Sequence, residues 1–461
     1  MTLTPTTQTS PTPLIALDPA TLSSYLNSAD AGVRNWVQAS AFSAAAGSYC
    51  LLPDARGGLA AVLVGVGQSD DLYALAALPL ALPEGEYALS RLGLALDPAC
   101  AALGFALGSY QFTRYRAAKR LAARLQSPAG GDAARLAALA EATALTRDLV
   151  NTPTEDLGPE QFSVLVEAFA GRHGAVFKPT VGEDLLDANF PAIHAVGRAS
   201  HRAPRLLELS WGDPKHPLLA LVGKGVCFDT GGLDLKPSDG MRHMKKDMGG
   251  AAHALALAQL IIQRGLPLRL LVLLPVVENA IAANAYRPGE VIHTRSGLTV
   301  EIDNTDAEGR VVLGDALFYA SEHAPDLVID FATLTGAARV ALGADLVPIF
   351  SNRDDLRELA VAAGTRVQDP LWPMPLWQPY RRMLNSKVAD LANSGASRQA
   401  GCITAALYLQ AFVPERIPWL HLDTYAWNDG DRPGRPQGGE ALGLRAMFEF
   451  LEQRYRCCTV G

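Results

Sequence analysis

The sequence predicts an α/β fold in two domains: a smaller N-terminal α/β domain and a larger C-terminal domain, whose mainly parallel sheet is covered by helices on both faces. A chain of 461 residues is too long for one ordinary domain. From residue 155 onward, helix-like and strand-like segments alternate, with strand-like runs at 205–210, 218–222, 268–275 and 327–331. Most of these runs are too apolar to have one face in water, which is typical of a parallel sheet covered on both sides.

Local composition predicts where the domains begin and end. We expect the N-terminal domain at residues 1–130, a linker helix at 131–150 and the C-terminal domain at 151–461. The clearest linker is the small and polar stretch at 127–132, because Pro and Gly interrupt regular structure. Residues 1–13 have neither a basic segment nor an apolar core, so they are expected to be a flexible leader and not a signal peptide.

Composition excludes several classes of protein. Hydrophobic residues make up 49% of the chain and charged residues 19%, which indicates a soluble globular protein. A net charge of −7 argues against general nucleic-acid binding, although a local basic patch is not excluded. No apolar run approaches the ~18 residues of a membrane span. The six cysteines lack Cys-x-x-Cys spacing, which favours reduced thiols and a cytoplasmic location.

The stretch Asn-Thr-Asp-Ala-Glu-Gly-Arg at 304–310 is the strongest candidate for a site. In extended backbone, the spacing of Asp306, Glu308 and Arg310 would place all three side chains on one side. Two carboxylates so close together need a compensating cation, either Arg310 or a metal ion. A solvated turn with a local ion pair is the ordinary alternative. We favour a functional site, because the stretch lies between a short alternating run and a helical pattern, where α/β proteins place ligands.

A second group of charged residues lies upstream, after the apolar run at 218–223. Lys224, Asp229, Lys236 and Asp247 occur among glycines, ahead of a predicted helix at 251–263. A phosphate-binding loop is the obvious rival interpretation, but the pattern Gly-x4-Gly-Lys-Ser/Thr is absent. A phosphate site would also not require two aspartates.

Together these segments resemble the leucyl aminopeptidase family of dinuclear metallo-exopeptidases. The residues that carry the resemblance are Asn304–Arg310, Gly223–Gly232, Lys236-Pro237, Met244, Asp247 and Thr333–Ala337. A looser match runs from Arg147 to about Phe450, roughly two thirds of the chain, whereas the first third matches only faintly, through Leu63–Gly67.

The resemblance implies two divalent metal ions per subunit. In the family pattern, Asp229 and Glu308 bridge the ions, Lys224 and Asp247 complete one site, and Asp306 completes the other. A lysine ligand must be neutral, which requires a lowered pKa. Oxygen and amine ligands suit Mn²⁺ or Zn²⁺, with Co²⁺ or Mg²⁺ as alternatives.

The resemblance also implies roles in catalysis and substrate binding. Lys236 would polarise the carbonyl of the scissile peptide bond, and Arg310 would hold a bicarbonate that acts as general base. The pocket for the first side chain would accept Leu- or Met-like residues and consist of Met244, Thr333, Leu334, Gly336 and Ala337. The family forms homohexamers, dimers of trimers around an internal cavity, which implies short peptides as substrates.

Two alternatives stay open at this point. The same metals could serve another substrate, such as a cysteinylglycine-type dipeptide or another amide. A DNA-binding role, which some family members have, is disfavoured by the acidic net charge. The chain departs from the family pattern at Cys402, where a second glycine would follow Gly401, so the geometry of that loop is not transferable. Every expected ligand is present, which argues against an inactive relative.

Overall fold

The computed structural model describes residues 3–4, 11–118, 120–127, 132–395, 397 and 399–456. The chain divides into two compact units, Met1–Ala144 with Gly430–Gln437, and Leu145–Asp429 with Gly438–Gly461. Of the predicted leader 1–13, the strand residues Leu3–Thr4 and Thr12–Pro13 are described. Most of the predicted linker at 127–132 lies outside the described residues. The predicted domain limits therefore stay predictions.

The first unit contains one six-stranded sheet. Its strands are β1 (Leu3–Thr4), β2 (Thr12–Leu17), β3 (Tyr49–Pro53), β4 (Leu59–Gly65), β5 (Glu86–Leu89) and β6 (Arg124–Gln126). Its helices are α1 (Pro19–Ser28), α2 (Ala31–Ala39), α3 (Leu78–Ala81) and α4 (Pro98–Gly108). The strand order is β1-β6-β5-β2-β4-β3, and all neighbours are parallel except β3 and β4. The predicted α/β character of this part is confirmed.

Helix α5 (Ala133–Asn151) crosses the division, and the second unit contains the larger sheet. The strands of this unit are β7 (Val176–Val181), β8 (Arg205–Trp211), β9 (Leu218–Gly223), β10 (Gly225–Asp229), β11 (Arg269–Asn279), β12 (Val291–His293), β13 (Thr299–Glu301), β14 (Leu327–Ala332), β15 (Val347–Ser351), β16 (Leu371–Pro373), β17 (Leu391–Ala392), β18 (Trp419–Asp423), β19 (Trp427–Asn428) and β20 (Gly438–Gly439). The helices are α6 (Pro159–His173), α7 (Asp184–Asp187), α8 (Pro191–Gly197), α9 (Ser238–Met241), α10 (Gly249–Gln263), α11 (Glu308–Glu322), α12 (Gly336–Leu342), α13 (Asp354–Arg366), α14 (Gly401–Gln410) and α15 (Leu444–Arg456), with two 3-10 segments at Met244–Met248 and Gln378–Leu384.

The nine-stranded sheet of the second unit is mainly parallel, as predicted. Its order is β16-β15-β18-β14-β9-β11-β8-β7, and β10 pairs with the end of β11. The central pairs are parallel: β18 with β14, β14 with β9, β9 with β11, and β11 with β10. Three other pairs are antiparallel: β11 with β8, β8 with β7, and β18 with β15. The four predicted runs correspond to β8, β9, β11 and β14.

Helices cover both faces of this sheet, which confirms the expectation drawn from its apolar strands. Every residue of β9 is buried. Leu218, Ala220 and Val222 pack in one core cluster with Val311 and Leu317 of α11, and alternation directs the residues between them to the opposite face, which α10 contacts.

The N-terminal end of α10 comes unusually close to the sheet. A Cβ atom on Gly250 would lie 2.1 Å from the carbonyl oxygen of Phe331, so only glycine allows this approach. The preceding 3-10 segment, Met244–Met248, lies against strand β10. None of the helices in the described part of the chain combines the length and hydropathy that a membrane crossing requires.

Candidate active site

Four segments of the second unit bring charged side chains to the carboxyl ends of the parallel strands. Lys224 follows β9, and Asp229 is the last residue of β10. Asp247 lies in the 3-10 segment before α10, and Glu308 is the first residue of α11. The carboxyl edge of a parallel sheet is where α/β proteins bind ligands.

The motif at 304–310 is not extended, so that part of the prediction is wrong. Thr305 and Asp306 form a turn and Glu308 begins a helix. The predicted position between a strand and a helix is confirmed, because β13 ends at Glu301 and α11 begins at Glu308. The turn, and not the alternation of a strand, brings the two carboxylates towards the same point.

Three carboxylates form a compact cluster of candidate metal ligands. One oxygen each from Asp229, Asp306 and Glu308 lies within 4.8 Å of the other two. Asp229 and Glu308 are buried, whereas the side chain of Asp306 is 34% exposed and borders the cavity described below. Carboxylate oxygens at this spacing are hard ligands that suit divalent cations.

Two lysines lie among these carboxylates. Lys224 Nζ is 2.8 Å from Asp247 Oδ2 and 2.9 Å from Glu308 Oε1. Lys236 Nζ is 2.8 Å from Asp229 Oδ2 and 2.5 Å from Asp306 Oδ1. Each ammonium group therefore pairs with two carboxylates, and all five predicted metal-binding residues meet in one place together with Lys236.

Burial and neighbouring charges shift the pKa values of several groups in this cluster. Burial, reinforced by the charge of Asp229, raises the pKa of Asp306 to about 6 and that of Glu308 well above its ordinary value. Burial alone would lower the pKa of Lys224, but Asp247 and Glu308 outweigh it and raise that pKa. A site with these shifts attracts further cations.

Hydrogen bonds fix the orientation of two of the carboxylates. Asp229 Oδ1 accepts from the backbone N–H of Gly231 and from Nδ2 of Asn279, both at 2.8 Å. Asp247 Oδ1 accepts from the hydroxyl of Thr333 at 2.8 Å. Such contacts orient the ligand atoms of a metal site. Sequence reasoning missed Asn279, although its position at the end of a parallel strand next to Asp229 is a usable signal.

Several oxygens of the cluster lack a satisfying hydrogen bond. Apart from the lysine ion pairs, Asp247 Oδ2, Asp306 Oδ1 and Glu308 Oε1 have no well-oriented donor within the described part of the chain, although each atom is buried. Buried carboxylate oxygens normally have such partners. The donor set therefore fits divalent metal ions.

Arg310 lies at the edge of the same cavity. Its Nη1 donates to the carbonyl oxygen of Asn393 at 2.9 Å, and its buried Nε has no hydrogen-bond partner among the described residues. Asn393 also fixes the motif, because its side chain accepts from the N–H groups of Asp303 and Asn304. Sequence reasoning did not identify Asn393.

A cavity of about 770 Å³ opens beside the cluster. Eleven of the twelve predicted site residues line it, and Glu308 lies buried beneath. The residues predicted for the first side chain come from two segments, Met244 from the 3-10 segment and the others from 333–337 after β14. Lys246 and Arg339 also line this cavity, and sequence reasoning assigned neither.

The fold and the carboxylate cluster define a metal-binding α/β protein, and comparisons with known proteins identify its family. Residues 144–448 match the model of the cytosol aminopeptidase family, catalytic domain, and residues 12–128 match the M17 aminopeptidase N-terminal domain. The chain therefore belongs to the cytosol, or leucyl, aminopeptidase family of peptidases. It is a metal-dependent aminopeptidase, which confirms the predicted enzyme class.

Individual relatives agree with this assignment. The chain is 41% identical over 394 residues to a probable cytosol aminopeptidase of Syntrophotalea carbinolica, covering 79% of each chain. It superposes on the cytosol aminopeptidase of Coxiella burnetii with a TM-score of 0.95 and 49% identity, covering 98% of this chain and 99% of that one. A bottromycin maturation enzyme in complex with Mn is 35% identical, with a TM-score of 0.87 over 97% of this chain and all of the other.

Proposed function

We propose that this aminopeptidase releases Leu- or Met-like residues from the N-terminus of short peptides with the help of two divalent metal ions. The observation that carries the proposal is the cluster of Asp229, Asp306 and Glu308, with their ligand oxygens within 4.8 Å of one another beside a large cavity. Lys224 and Asp247 complete the proposed ligand set, because Lys224 Nζ contacts both Asp247 and Glu308.

The charges of the site support a pair of divalent ions. Four carboxylates share two lysine ammonium groups, so the cluster keeps excess negative charge when all six groups are ionised. Lys224 can bind a metal only as a neutral amine. Its raised pKa means that metal binding must displace a proton, and we expect calorimetric Mn²⁺ titrations in buffers of different ionisation enthalpy to reveal that release. Mn²⁺ and Zn²⁺ are the proposed ions, with Co²⁺ and Mg²⁺ as alternatives.

The proposed catalytic groups of the chain are Lys236 and Arg310. When bound, the metal ions would supply Lewis acidity and lower the pKa of a water molecule. Lys236 borders the cavity and would donate a hydrogen bond to the carbonyl oxygen as negative charge develops there. Arg310 also lines the cavity, so its guanidinium group could hold bicarbonate as the group that accepts a proton.

The proposed pocket for the first side chain consists of Met244, Thr333, Leu334, Gly336 and Ala337. All five line the cavity, and Met244 and Leu334 provide its apolar surface. A flexible Met side chain adapts to aliphatic groups of different shape. We further propose a homohexamer, built as a dimer of trimers, in the cytoplasm. The free thiols of Cys50, Cys100, Cys227 and Cys402 suit a reducing compartment.

Hydrolysis of leucine p-nitroanilide by metal-stripped protein tests the proposal. Mn²⁺, Zn²⁺, Co²⁺ or Mg²⁺ is restored singly to the parent protein and to an Asp306→Ala variant. We expect at least one ion to restore activity in the parent and not in the variant. Absence of hydrolysis with every ion, for this substrate and for a panel of dipeptides, would refute the proposed function.

A further inference from the structure

Two cations on one wall of the cavity are used by neither the metal cluster nor the proposed catalytic groups. Lys246 is only 3% exposed, yet it lines the cavity, and its Nζ lies 4.9 Å from the ring centroid of Tyr425. The guanidinium carbon of Arg339 lies 4.7 Å from the same centroid. The two positive groups therefore share one aromatic ring at the cavity wall.

Neither cation forms an ion pair with a carboxylate of the described chain. Two acids, Asp247 and Asp423, act on Lys246 through their charge, and both already have partners. Asp247 pairs with Lys224 and accepts from a hydroxyl group. Asp423 Oδ1 accepts from the N–H groups of Leu334 and Thr335, and its Oδ2 accepts from the hydroxyl of Thr335 at 2.6 Å.

A buried ammonium group without a counter-charge is costly, since desolvation is not repaid by pairing. A contact with an aromatic face compensates only part of that cost. A carboxylate that enters the cavity would supply the missing charge and would form charge-assisted hydrogen bonds with both cations.

We propose that Lys246 and Arg339 form a subsite for a carboxylate of the substrate. The proposal rests on the aminopeptidase function proposed above and adds a carboxylate to the substrate groups that the site would recognise. Lys246 is two residues from Met244, and Arg339 is two residues from Ala337, so the cations share the segments that form the pocket for the first side chain. The carboxylate comes from the side chain of an N-terminal Asp or Glu, or from the free carboxyl end of a very short peptide.

Two pairs of substrates distinguish these sources. The first compares kcat/KM for the p-nitroanilides of Glu and Gln, which differ by one carboxylate at the side chain. The second compares Leu-Gly with Leu-Gly amide, which differ at the carboxyl end. For each pair, the kcat/KM of the substrate with the carboxylate is divided by the kcat/KM of its uncharged counterpart. This ratio is measured for the parent and for Lys246→Met, Lys246→Arg and Arg339→Gln variants. Arg381→Gln serves as a control, because Arg381 is exposed in the 3-10 segment Gln378–Leu384.

We expect Lys246→Met to lower one of the two ratios by about tenfold or more, as for the loss of a charge-assisted hydrogen bond. Arg339→Gln should lower the same ratio, Lys246→Arg should preserve it, and the control should leave both ratios unchanged. A loss of folding would reduce all rates alike and would not change a ratio. Unchanged ratios in both pairs would overturn the proposal, even if leucine p-nitroanilide is hydrolysed.

Binding provides a readout that does not require hydrolysis. Calorimetric titration with glutamate and with glutamine, on metal-loaded protein, should show tighter binding of glutamate if the side-chain carboxylate is recognised. The same titration with Gly-Gly and Gly-Gly amide examines the carboxyl end. A preference that Lys246→Met removes supports the subsite. Equal binding of acid and amide in both pairs overturns it, whether or not the protein cleaves peptides.

Discussion

Gly309 is the position where one added methyl group tests the proposed role of Lys224. A Cβ atom at residue 309 would lie 2.4 Å from Lys224 Cε and 2.6 Å from Nζ, whereas ordinary contact begins at 3.4 Å. In a Gly309→Ala variant the lysine must therefore withdraw by about 1 Å, the difference between 3.4 and 2.4 Å. It has little freedom to do so, because Asp247, Glu308 and the carbonyl oxygen of Thr333 hold its ammonium group at 2.8–2.9 Å.

The size of the effect follows from these contacts. A retreat of that length takes at least one of them beyond the ~3.5 Å limit of a useful hydrogen bond. Losing a hydrogen bond to a charged group costs ~1.5–3 kcal/mol, whereas replacing Gly by Ala inside a helix contributes only ~1 kcal/mol in the opposite direction. We expect the metal-free Gly309→Ala protein to lose up to ~2 kcal/mol of unfolding free energy. Its metal affinity should fall at least ~10-fold, as when a supporting group of a metal site is lost.

Urea unfolding in the presence of EDTA and calorimetric titration with Mn²⁺ measure the two quantities. Gly171→Ala is the matched control, because Gly171 lies exposed in helix α6 and a Cβ atom there meets nothing within 4 Å. That variant should bind Mn²⁺ like the parent and should be equally or slightly more stable. Parent-like Mn²⁺ affinity in Gly309→Ala would refute the argument that the position of Lys224 matters.

Three further substitutions probe single groups. Glu308→Gln keeps the shape of a buried, proposed ligand but removes its charge, so Mn²⁺ affinity and leucine p-nitroanilide hydrolysis should both fall by more than ~100-fold. Arg310→Met should lower kcat by ~10²- to 10⁴-fold, the usual contribution of a general base, and should abolish any activation by added bicarbonate, with KM nearly unchanged. Asp330→Asn removes the partner of His421 and should destabilise the protein by ~3–5 kcal/mol, measured by urea unfolding near pH 6.

The pH dependence of the last variant has a definite sign. Burial lowers the pKa of His421, but Asp330, whose Oδ1 is 2.6 Å from Nδ1, outweighs burial and raises that pKa above 6.5. The stability that this pair contributes is therefore fully present below pH 6.5 and is lost as the pH rises through the raised pKa. The loss of unfolding free energy in Asp330→Asn should therefore be smaller near pH 9 than near pH 6. A loss that grows with pH would contradict the raised pKa of His421.

For Glu308→Gln and Arg310→Met, particular results would contradict the proposed roles. Parent-like Mn²⁺ affinity in Glu308→Gln would remove that residue from the ligand set. If Arg310→Met still responds to bicarbonate, another cation holds the anion. A large rise of KM at unchanged kcat would instead make Arg310 a residue that binds substrate.

The sheet of the second unit was predictable because strands that are buried on both faces consist of continuous runs of apolar residues. Strand β11 shows the limit: its predicted end is Pro275, but the strand continues to Asn279. Pairing with β9 ends at Leu273 and pairing with β10 begins at Val276, so the missing N–H of Pro275 falls between its two parallel partners. Ending the strand too early is also why Asn279 was missed as a partner of Asp229.

The candidate ligands could be predicted from the family motif, but their surroundings could not. Lys245 and Lys246 are adjacent and chemically identical. Lys245 donates to the carbonyl oxygen of Asn151 at 2.6 Å and is only half-buried, whereas Lys246 lies inside at the cavity wall. The 3-10 turn of this segment decides which lysine faces inward, and no periodic pattern in Met-Lys-Lys-Asp-Met indicates that turn.

The two lysines of the cluster make similar contacts, yet their environments suit them to different roles. The side chain of Lys224 is 4% exposed and enclosed by Asp247, Glu308 and Thr333, so a metal ion that binds the two carboxylate oxygens it contacts must replace its proton or displace the side chain. Both lysines line the cavity, but Lys236 is more exposed, at 15%, so it can keep its charge and exchange a carboxylate for a substrate oxygen. With metal bound, the enclosed Lys224 would thus be suited to serve as a neutral amine ligand, whereas the greater exposure of Lys236 suits it to the role of a charged hydrogen-bond donor.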